Sequence, residues 1–438
     1  MNTPSPSFPL YGHRDKADVL AAAERCWNPD KTRFWQRAGV PLVIGERQGY
    51  RLTDLDGHTL IDVHLNGGTY NLGHRHPELV ATLKDSLDHL DIGNHHFPSA
   101  ARTALAQRLL DSSPGKLRRV AYGTSGSEAI DLAIKSARYA TGRRVIVSVV
   151  KAYHGHTGLA VATGDARFSE LFHASRPDEF VQVPFNDLDA MEQALRAHEV
   201  AAVILETIPA TYGFPMPRPG YLAQVQRLCQ QHGALYIADE VQTGLMRTGD
   251  LWAFSKHGVS PDILVTSKGL GGGLYPIGAV LLSEQAGGWL ERDGFAHMST
   301  FAGSELGSAV ALKVLEITLR EDTRRNVAAN IQRFADGLAA IRERHGDWFT
   351  GVRQDGLVIG LEFADPQGAK PVMQALYERG VWAIFSTLDP SVLQFKPGLL
   401  LTAGEVGDIL QRVEDAIAAV AAARPARHPA LVAEEARA

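Results

Sequence analysis

Short apolar runs alternate with stretches of helical periodicity from about residue 100 to about residue 300 of this chain. The runs are rich in aliphatic and β-branched side chains and are bounded by turn residues: RRVAYGT, RRVIVSVV, VAAVILE, GALYIAD, DILVTS and GAVLLS. Strands that are continuously apolar are those covered on both faces. The pattern therefore predicts an α/β domain with a mostly parallel sheet and helices on both sides of it.

The two ends of the chain show a different pattern. Near the N-terminus, alternating residues 50–52 and 59–63 flank an Asp-Gly turn, which is typical of a β-hairpin. After about residue 305 a long helical pattern precedes three strand candidates, GLVIGLEF, GVWAIF and VLQFKPGLLLT. A capping-box pattern from Thr402 to Glu405 predicts a last helix. We therefore predict a smaller α+β domain built from both chain ends.

These changes of pattern give the predicted boundaries. Residues 1–70 are an N-terminal segment of the small domain, residues 71–305 the large domain and residues 306–423 the C-terminal part of the small domain. The segment 424–438, rich in Ala, Pro and charged residues, is expected to be a tail.

Composition limits the functional class. The chain has 438 residues and a formal net charge of −5, so it is long enough for a large core and lacks the basic excess of nucleic-acid-binding proteins. It contains no apolar run of membrane-spanning length and no signal-peptide pattern at the N-terminus. Its two cysteines, Cys26 and Cys229, form neither a disulfide framework nor a CxxC pair. We expect a soluble, cytoplasmic protein without nucleic-acid or membrane partners.

Three short segments carry candidate chemistry, and the first is Thr-Ser-Gly-Ser at 124–127, between a predicted strand and an amphipathic helix. A helix N-terminus offers free N–H groups and the positive end of the helix dipole, so Ser125, Gly126 and Ser127 suit a phosphate. The alternative interpretation is ordinary N-capping by serine.

The second candidate, Asp239, comes at the C-terminal end of the predicted strand GALYIAD, the edge at which open α/β sheets bind ligands. A carboxylate there stays charged only if a cation faces it, and a protonated ring nitrogen would serve. A helix N-cap is an alternative. A magnesium ligand is another, but that role would need a P-loop, which the sequence lacks.

The third candidate, Lys268, follows the predicted strand DILVTS and precedes a run of glycines. In a partly desolvated cleft the pKa of a lysine falls, and its amine then attacks carbonyl groups to form Schiff bases. The alternative is a lysine that pairs with phosphate or lies at the surface. Taken together, a phosphate site, an aspartate for a ring nitrogen and a lysine for an aldehyde match pyridoxal 5′-phosphate (PLP).

The sequence resembles the class III (ornithine/GABA-type) aminotransferases of fold type I along nearly its whole length. The resemblance lies in these motifs, in order: YRLTDLDGHTLIDVHLNGGTYNLGHRHP, SGSEA, YHGHT, LET…GFPMP, IADEVQTGLMRTG, the lysine segment and STFAGSELGSAVAL. It implies a seven-stranded, mostly parallel sheet in the large domain and the cofactor PLP.

The resemblance also implies roles at the matching positions. Besides Ser125, Gly126 and Ser127 at the phosphate, Asp239 at the ring nitrogen and Lys268 in the Schiff base, these roles are Tyr153 stacked on the ring, Val241 behind it, Gln242 near its hydroxyl and Thr300 at the neighbouring subunit's phosphate. A threonine that reaches the neighbouring subunit implies a homodimer with shared sites, alone or within a tetramer.

One position departs from the family pattern. Where the family commonly has an arginine for the acceptor carboxylate, the stretch LQFKPGL places Gln394, so Glu206 lacks its usual partner. Lys396, two residues on, and Arg218 are candidate replacements. Glu206, Gln394 and Lys396 are therefore the candidate substrate residues.

The resemblance favours a PLP-dependent aminotransferase that moves an amino group between a small primary amine or amino acid and a keto acid. Because Gln394 stands where the family has the acceptor arginine, two alternatives stay open. One is a PLP-dependent lyase acting on a small amino phosphonate or phosphate, and the other is an aminomutase or racemase. A non-catalytic binding module with this fold is disfavoured because Lys268 and Asp239 are both present. The histidines of YHGHT and GHRHP have no HExxH motif or cysteine pair beside them, so no metal site is predicted.

Overall fold

The structure is a computed structural model that describes residues 9–113 and 115–423. Its strands are β1 (Ile44–Gln48), β2 (Arg51–Asp54), β3 (Thr59–Asp62), β4 (Leu117–Gly123), β5 (Val145–Val149), β6 (Phe180–Val183), β7 (Val200–Glu206), β8 (Leu235–Asp239), β9 (Ile263–Thr266), β10 (Gly278–Ser283), β11 (Phe349–Asp355), β12 (Val358–Phe363), β13 (Val381–Trp382), β14 (Ile384–Ser386) and β15 (Asp389–Phe395). The predicted tail, 424–438, lies outside the described residues.

The helices are α1 (Lys16–Cys26), α2 (Pro29–Arg37), α3 (Leu65–Gly68), α4 (Pro77–Leu87), α5 (Ala100–Ser112), α6 (Gly126–Thr141), α7 (Gly158–Thr163), α8 (Ala166–Ser169), α9 (Leu188–Ala197), α10 (Tyr221–His232), α11 (Trp289–Arg292), α12 (Glu305–Leu319), α13 (Glu321–His345), α14 (Ala369–Glu378) and α15 (Ala403–Ala423). Short 3₁₀ helices cover Glu170–Phe172, Ala253–His257 and Lys268–Gly271. Among these helices, none combines the length and the apolar character needed to cross a membrane.

The large sheet has seven strands in the order β4-β10-β9-β8-β7-β5-β6, and every pair except those of β10 is parallel. Each of the six predicted apolar runs is one of its strands, so the predicted mostly parallel sheet is confirmed. The sequence pattern misses β6, because this edge strand reads FVQV and its two middle residues are only half-buried.

Strand β7 shows why these runs are continuously apolar, since all seven of its residues are buried. Val203 and Leu205 belong to the core on one face, which includes residues of α5, α9, α10 and α12. Ala202 and Ile204 belong to the core on the other face, together with residues of α6. Helices on both faces therefore leave the edges of the sheet as the places where polar side chains can gather.

The two chain ends pair with each other in smaller sheets. The hairpin β2–β3 forms as predicted, and β13 from the C-terminal part adds to it parallel to β3. A second sheet has the order β11-β12-β15-β14. The candidate VLQFKPGLLLT is a strand only as far as Phe395, since Pro397 lacks a backbone N–H for the ladder. Thr402 and Glu405 exchange the hydrogen bonds of the predicted capping box.

The topology brings the candidate segments together. Strands β7, β8 and β9 are parallel neighbours, so their carboxyl ends, with Glu206, Asp239 and the approach to Lys268, meet at one edge of the sheet. Strand β4 runs antiparallel to β10, which itself runs antiparallel to β9, so β4 ends at the same edge and α6 begins there. The exact domain boundaries remain predictions.

Candidate active site

A cavity of about 170 Å³ opens at this edge of the large sheet. Its lining contains all the residues predicted to bind the cofactor except Thr300: Ser125, Gly126, Ser127, Tyr153, Asp239, Val241, Gln242 and Lys268. The rest of the lining is Glu206, a candidate substrate residue from the sequence, with His154, Gly155, Ile208 and Thr243.

The N-terminus of α6 forms one wall of the cavity. Ser125 is the N-cap residue, and its Oγ accepts a hydrogen bond of 3.2 Å from the backbone N–H of Glu128. The backbone N–H of Ala129 donates to the carbonyl of Ser125, so the amides of Gly126 and Ser127 are the ones left for an anion. Ser125 can therefore cap the helix while the amides of Gly126 and Ser127 bind an anion at the same end.

The loop after β5 approaches this helix end closely. The hydroxyl of Ser127 accepts a hydrogen bond of 2.9 Å from the backbone N–H of His156. Gly155 has φ +119°, and a Cβ at this position would lie 1.9 Å from Ser127 Oγ, so only glycine fits. Tyr153, from the same loop, lies half-buried beside the cavity.

Asp239 is held at the floor of the cavity by two contacts. Its Oδ2 is 2.7 Å from Nδ1 of His154, and its Oδ1 accepts a 3.0 Å hydrogen bond from the backbone N–H of Val241. Both His154 and Asp239 are buried. The sequence interpretation misses the role of His154, and the signal for it is the YHGHT segment, which we consider only as a metal ligand.

Lys268 follows β9 and lines the same cavity. Its backbone has φ +37°, in the left-handed region that costs a non-glycine residue on the order of 1–3 kcal/mol. Burial lowers the pKa of its ammonium group, against the opposing charges of Asp239 and Glu206. Among the described residues, no side chain forms a hydrogen bond or an ion pair with Lys268 Nζ, so this amine is free to react.

Glu206, the last residue of β7, stands beside Asp239 in the register of the sheet. Its Oε1 accepts a 3.0 Å hydrogen bond from the backbone N–H of Tyr153, and its Oε2 a 3.2 Å bond from that of Ala210. Burial raises the pKa of this carboxyl group to about 7. No lysine or arginine in the described part of the chain forms an ion pair with it, as the sequence leads us to expect.

Gln394 and Lys396 do not line the cavity. Gln394 Nε2 donates to the carbonyl of Ala210 at 3.1 Å, and Lys396 Nζ donates to Gln394 Oε1. Lys396 is completely buried. The other candidate, Arg218, is exposed on the surface and also outside the lining. The geometry therefore gives no support to direct substrate contact by these three residues.

Thr300 is exposed and lies outside the cavity lining of its own chain. Its predicted contact with a neighbouring subunit stays a prediction. Within residues 9–113 and 115–423, no group of three or more His, Cys, Asp or Glu side chains is arranged to hold a metal ion.

The arrangement defines a class of site. A helix N-terminus for an anion, a buried carboxylate for a cationic ring and an unpaired amine with a lowered pKa converge at the carboxyl edge of a doubly covered parallel sheet. Such a site suits a phosphate-bearing aldehyde cofactor in an enzyme that acts on amines.

Comparisons with known proteins agree with this description. A family model described as aminotransferase class-III matches residues 35–417. A protein of Archaeoglobus fulgidus described as an uncharacterized aminotransferase is 43% identical over 407 residues, which are 93% of this chain and 95% of that protein.

Solved structures give the same result. The ornithine aminotransferase of Toxoplasma gondii ME49 superposes with a TM-score of 0.86 at 27% identity, covering 96% of this chain and all of that one. The N-acetylornithine aminotransferase of Stenotrophomonas maltophilia K279a has a TM-score of 0.76 at 31% identity, covering 90% of this chain and 100% of that one. A second structure of the Toxoplasma protein is described as having PLP at partial occupancy.

The chain belongs to the class-III aminotransferase family. It is a PLP-dependent enzyme of fold type I that transfers an amino group between small molecules, and the predictions of family, fold, cofactor and activity are confirmed.

Proposed function

We propose that this aminotransferase binds PLP in the cavity at the carboxyl edge of the large sheet. In this proposal Lys268 is linked to the cofactor aldehyde, Asp239 faces the ring nitrogen and the N-terminus of α6 binds the phosphate. The observation that carries the proposal is the convergence of these three elements on one cavity, although they lie far apart in the sequence.

Three local features fit the cofactor. Gln242 Oε1 is buried without a hydrogen-bond partner, so it has an acceptor site for the ring hydroxyl. Gly126 lets Val241, the residue expected behind the ring, pack against the N-terminus of α6, since a Cβ on Gly126 would lie 3.0 Å from Val241 Cγ1. Ser127 Oγ accepts from His156 N–H, which leaves the hydroxyl proton of Ser127 for a phosphate oxygen.

The chemistry then divides between the cofactor and the chain. When bound, PLP withdraws electrons from the carbon that carries the reacting amino group. Once a substrate amine has displaced it from the aldehyde, Lys268 Nζ would take the proton from that carbon and deliver it to the cofactor side of the carbon–nitrogen bond, because its lowered pKa favours the neutral amine. Asp239, fixed by His154 and Val241, would present its carboxylate to the ring nitrogen. Tyr153 lies where it can pack on a ring face.

Gln394 and Lys396 have a positioning role in this proposal rather than a contact with substrate. The carbonyl of Ala210 accepts from Gln394, and the N–H of the same residue donates to Glu206. The chain Lys396–Gln394–Ala210 therefore fixes the segment that holds the Glu206 carboxylate. Gln394, at the position of the family's arginine, binds the backbone carbonyl of Ala210 beside Glu206 and does not pair with the Glu206 carboxylate.

The subunit arrangement and the location belong to the same proposal. A homodimer with shared sites would cover exposed Thr300 and bring it to the partner's phosphate site. The free thiols of Cys26 and Cys229 suit a cytoplasmic location. The test mixes inactive Lys268→Ala subunits with weakened Thr300→Val subunits. If the sites are shared, a mixed dimer has one site with both native residues, so part of the activity should return. Separate sites would give only the average activity of the two variants.

The function is tested by supplying the holoenzyme with small primary amines, with and without 2-oxoglutarate or pyruvate. We expect a new amino acid only when a keto acid is present, in equal amount to the amine consumed. Ammonia or phosphate released without a keto acid would instead establish a lyase, and a rearranged or racemised amine an aminomutase or racemase.

A further inference from the structure

Two buried glutamates lie close together in the fold but have different surroundings. Burial raises the pKa of both Glu206 and Glu240 to about 7. Glu240 accepts hydrogen bonds from two threonine hydroxyls and two backbone amides, which occupy both of its oxygens. Glu206 has only two backbone donors, and it lines the cavity. Only Glu206 therefore has acceptor capacity left for a ligand.

The surroundings of Glu206 leave its charge without a neutralising partner. Gln394 and Lys396 bind each other and the Ala210 carbonyl, so neither cation nor amide reaches the carboxylate. His154 favours its ionised form and Asp239 disfavours it. Lys268 is the one lysine or arginine among the described lining residues, and the proposed function commits its amine to the cofactor. A buried carboxylate in this situation is stabilised by any cation that enters the cavity.

We infer that Glu206 binds a second, non-reacting cationic nitrogen of the amino donor, so that the preferred donors are diamines or other amines with a distal ammonium group. This inference rests on the proposed function, which places the reacting nitrogen at Lys268. It assigns the specificity for the far end of the substrate to a carboxylate that Gln394 leaves unpaired.

The sheet brings Glu206 and Lys268 to the same cavity. Glu206 ends β7 and Lys268 follows β9, with β8 between these two strands. Adjacent strands lie about 4.8 Å apart, so the two backbones are separated by roughly 10 Å, and both side chains extend into the same cavity. A donor whose reacting nitrogen lies at Lys268 therefore has the Glu206 carboxylate in the same cavity for a second nitrogen on a short alkyl chain.

The inference gives a pH dependence with a definite sign. A carboxyl group with its pKa raised to about 7 is mostly neutral below that pH and mostly charged above it. His154, Asp239, Lys268 and Tyr153 are the titratable groups that face it in the cavity. We expect the preference for a diamine over a monoamine to increase as the pH rises through about 7.

The test compares 1,4-diaminobutane with 1-aminobutane, which has the same chain length and no second nitrogen. Amine binding to the holoenzyme is titrated through its visible absorption, and kcat/KM is measured for both amines. Glu206→Gln keeps an acceptor oxygen but removes the charge. We expect the diamine-to-monoamine ratio to fall about 10- to 100-fold in both measurements, the range of a lost charge-assisted hydrogen bond.

Glu199→Gln is the matched control, because Glu199 is exposed just before β7 and outside the cavity lining. It should leave the ratio unchanged. The inference is overturned if the wild-type protein binds 1-aminobutane as well as 1,4-diaminobutane, or if Glu206→Gln lowers both affinities equally. A holoenzyme whose absorption responds to no amine at all would contradict the proposed function itself. That result is distinct from the two outcomes that overturn the inference.

Discussion

Lys268 and Lys396 are two lysines whose amines both have a lowered pKa, yet their surroundings differ. Each follows the carboxyl end of a strand, and burial lowers the pKa of each. Lys268 lines a cavity and has no hydrogen-bond partner among the described residues. Lys396 is completely enclosed, donates to Gln394 and lies 5.4 Å from the centre of the Phe214 ring.

The difference shows that a lowered pKa does not by itself make a lysine reactive. Desolvation favours the neutral amine in both places, but only at Lys268 does a cavity give a carbonyl group access to it. At Lys396 the amine is a hydrogen-bond donor within the packed interior. Four substitutions test this contrast, and the largest effect is expected first.

Lys268→Ala should abolish transamination, with a loss of at least about 10³-fold in kcat, because the chain loses both its cofactor link and its proton-transfer group. The visible absorption of the linked cofactor should disappear while the far-UV circular dichroism stays native. Retained absorption together with retained activity would show that another amine does this chemistry.

Asp239→Asn should lower kcat by about 10²- to 10³-fold, since it removes the charge directed at the cofactor ring while keeping the shape. Asp262→Asn is the control, because Asp262 is a buried carboxylate next to the amino end of β9, where it accepts from the backbone N–H of Tyr236. We expect Asp262→Asn to lower thermal stability with little change in the cofactor spectrum. Equal spectra and rates for both variants would refute the assigned role of Asp239.

Gly155→Ala should weaken cofactor binding by about 10-fold or more, because the new methyl group collides with Ser127 Oγ and the backbone is at φ +119°. Gly142→Ala is the matched control, since Gly142 also has a positive φ but its added Cβ would meet nothing within 4 Å. Both variants should lose stability in thermal melts. Only Gly155→Ala should lose affinity in a PLP titration.

Lys396→Met should have the smallest effect, a change of less than about threefold in kcat/KM. Methionine fills a similar volume and removes a buried amine, while the lost hydrogen bond to Gln394 costs about 1 kcal/mol. Thermal unfolding and steady-state rates measure the two consequences. A loss of activity as large as that of Lys268→Ala would mean that Lys396 is part of the chemistry.

The sequence predicts the position of Lys268 but not the contacts of Lys396. The apolar runs and the residues that follow them locate Asp239 and Lys268, because the carboxyl ends of parallel strands share one edge. Edge strands such as β6 and β11 escape prediction, since their half-buried residues do not form an apolar pattern.

Long-range contacts account for the remaining gaps. The pairing of His154 with Asp239 joins residues 85 positions apart, and Gln394 reaches Ala210 across 184 positions. Neither contact has a local sequence pattern. The departure at Gln394 is visible in the sequence, but its consequence for Glu206 depends on where the side chain points in the folded chain.

The most direct test of the account is to reduce the holoenzyme with borohydride and to locate the attached cofactor by peptide mass spectrometry. The reduction makes the carbon–nitrogen bond between the cofactor and its lysine permanent, and it distinguishes Lys268 from Lys396 in one experiment. The account predicts one cofactor per chain, attached to Lys268. A cofactor found on Lys396 or on any other lysine, or no covalent attachment at all, would contradict it.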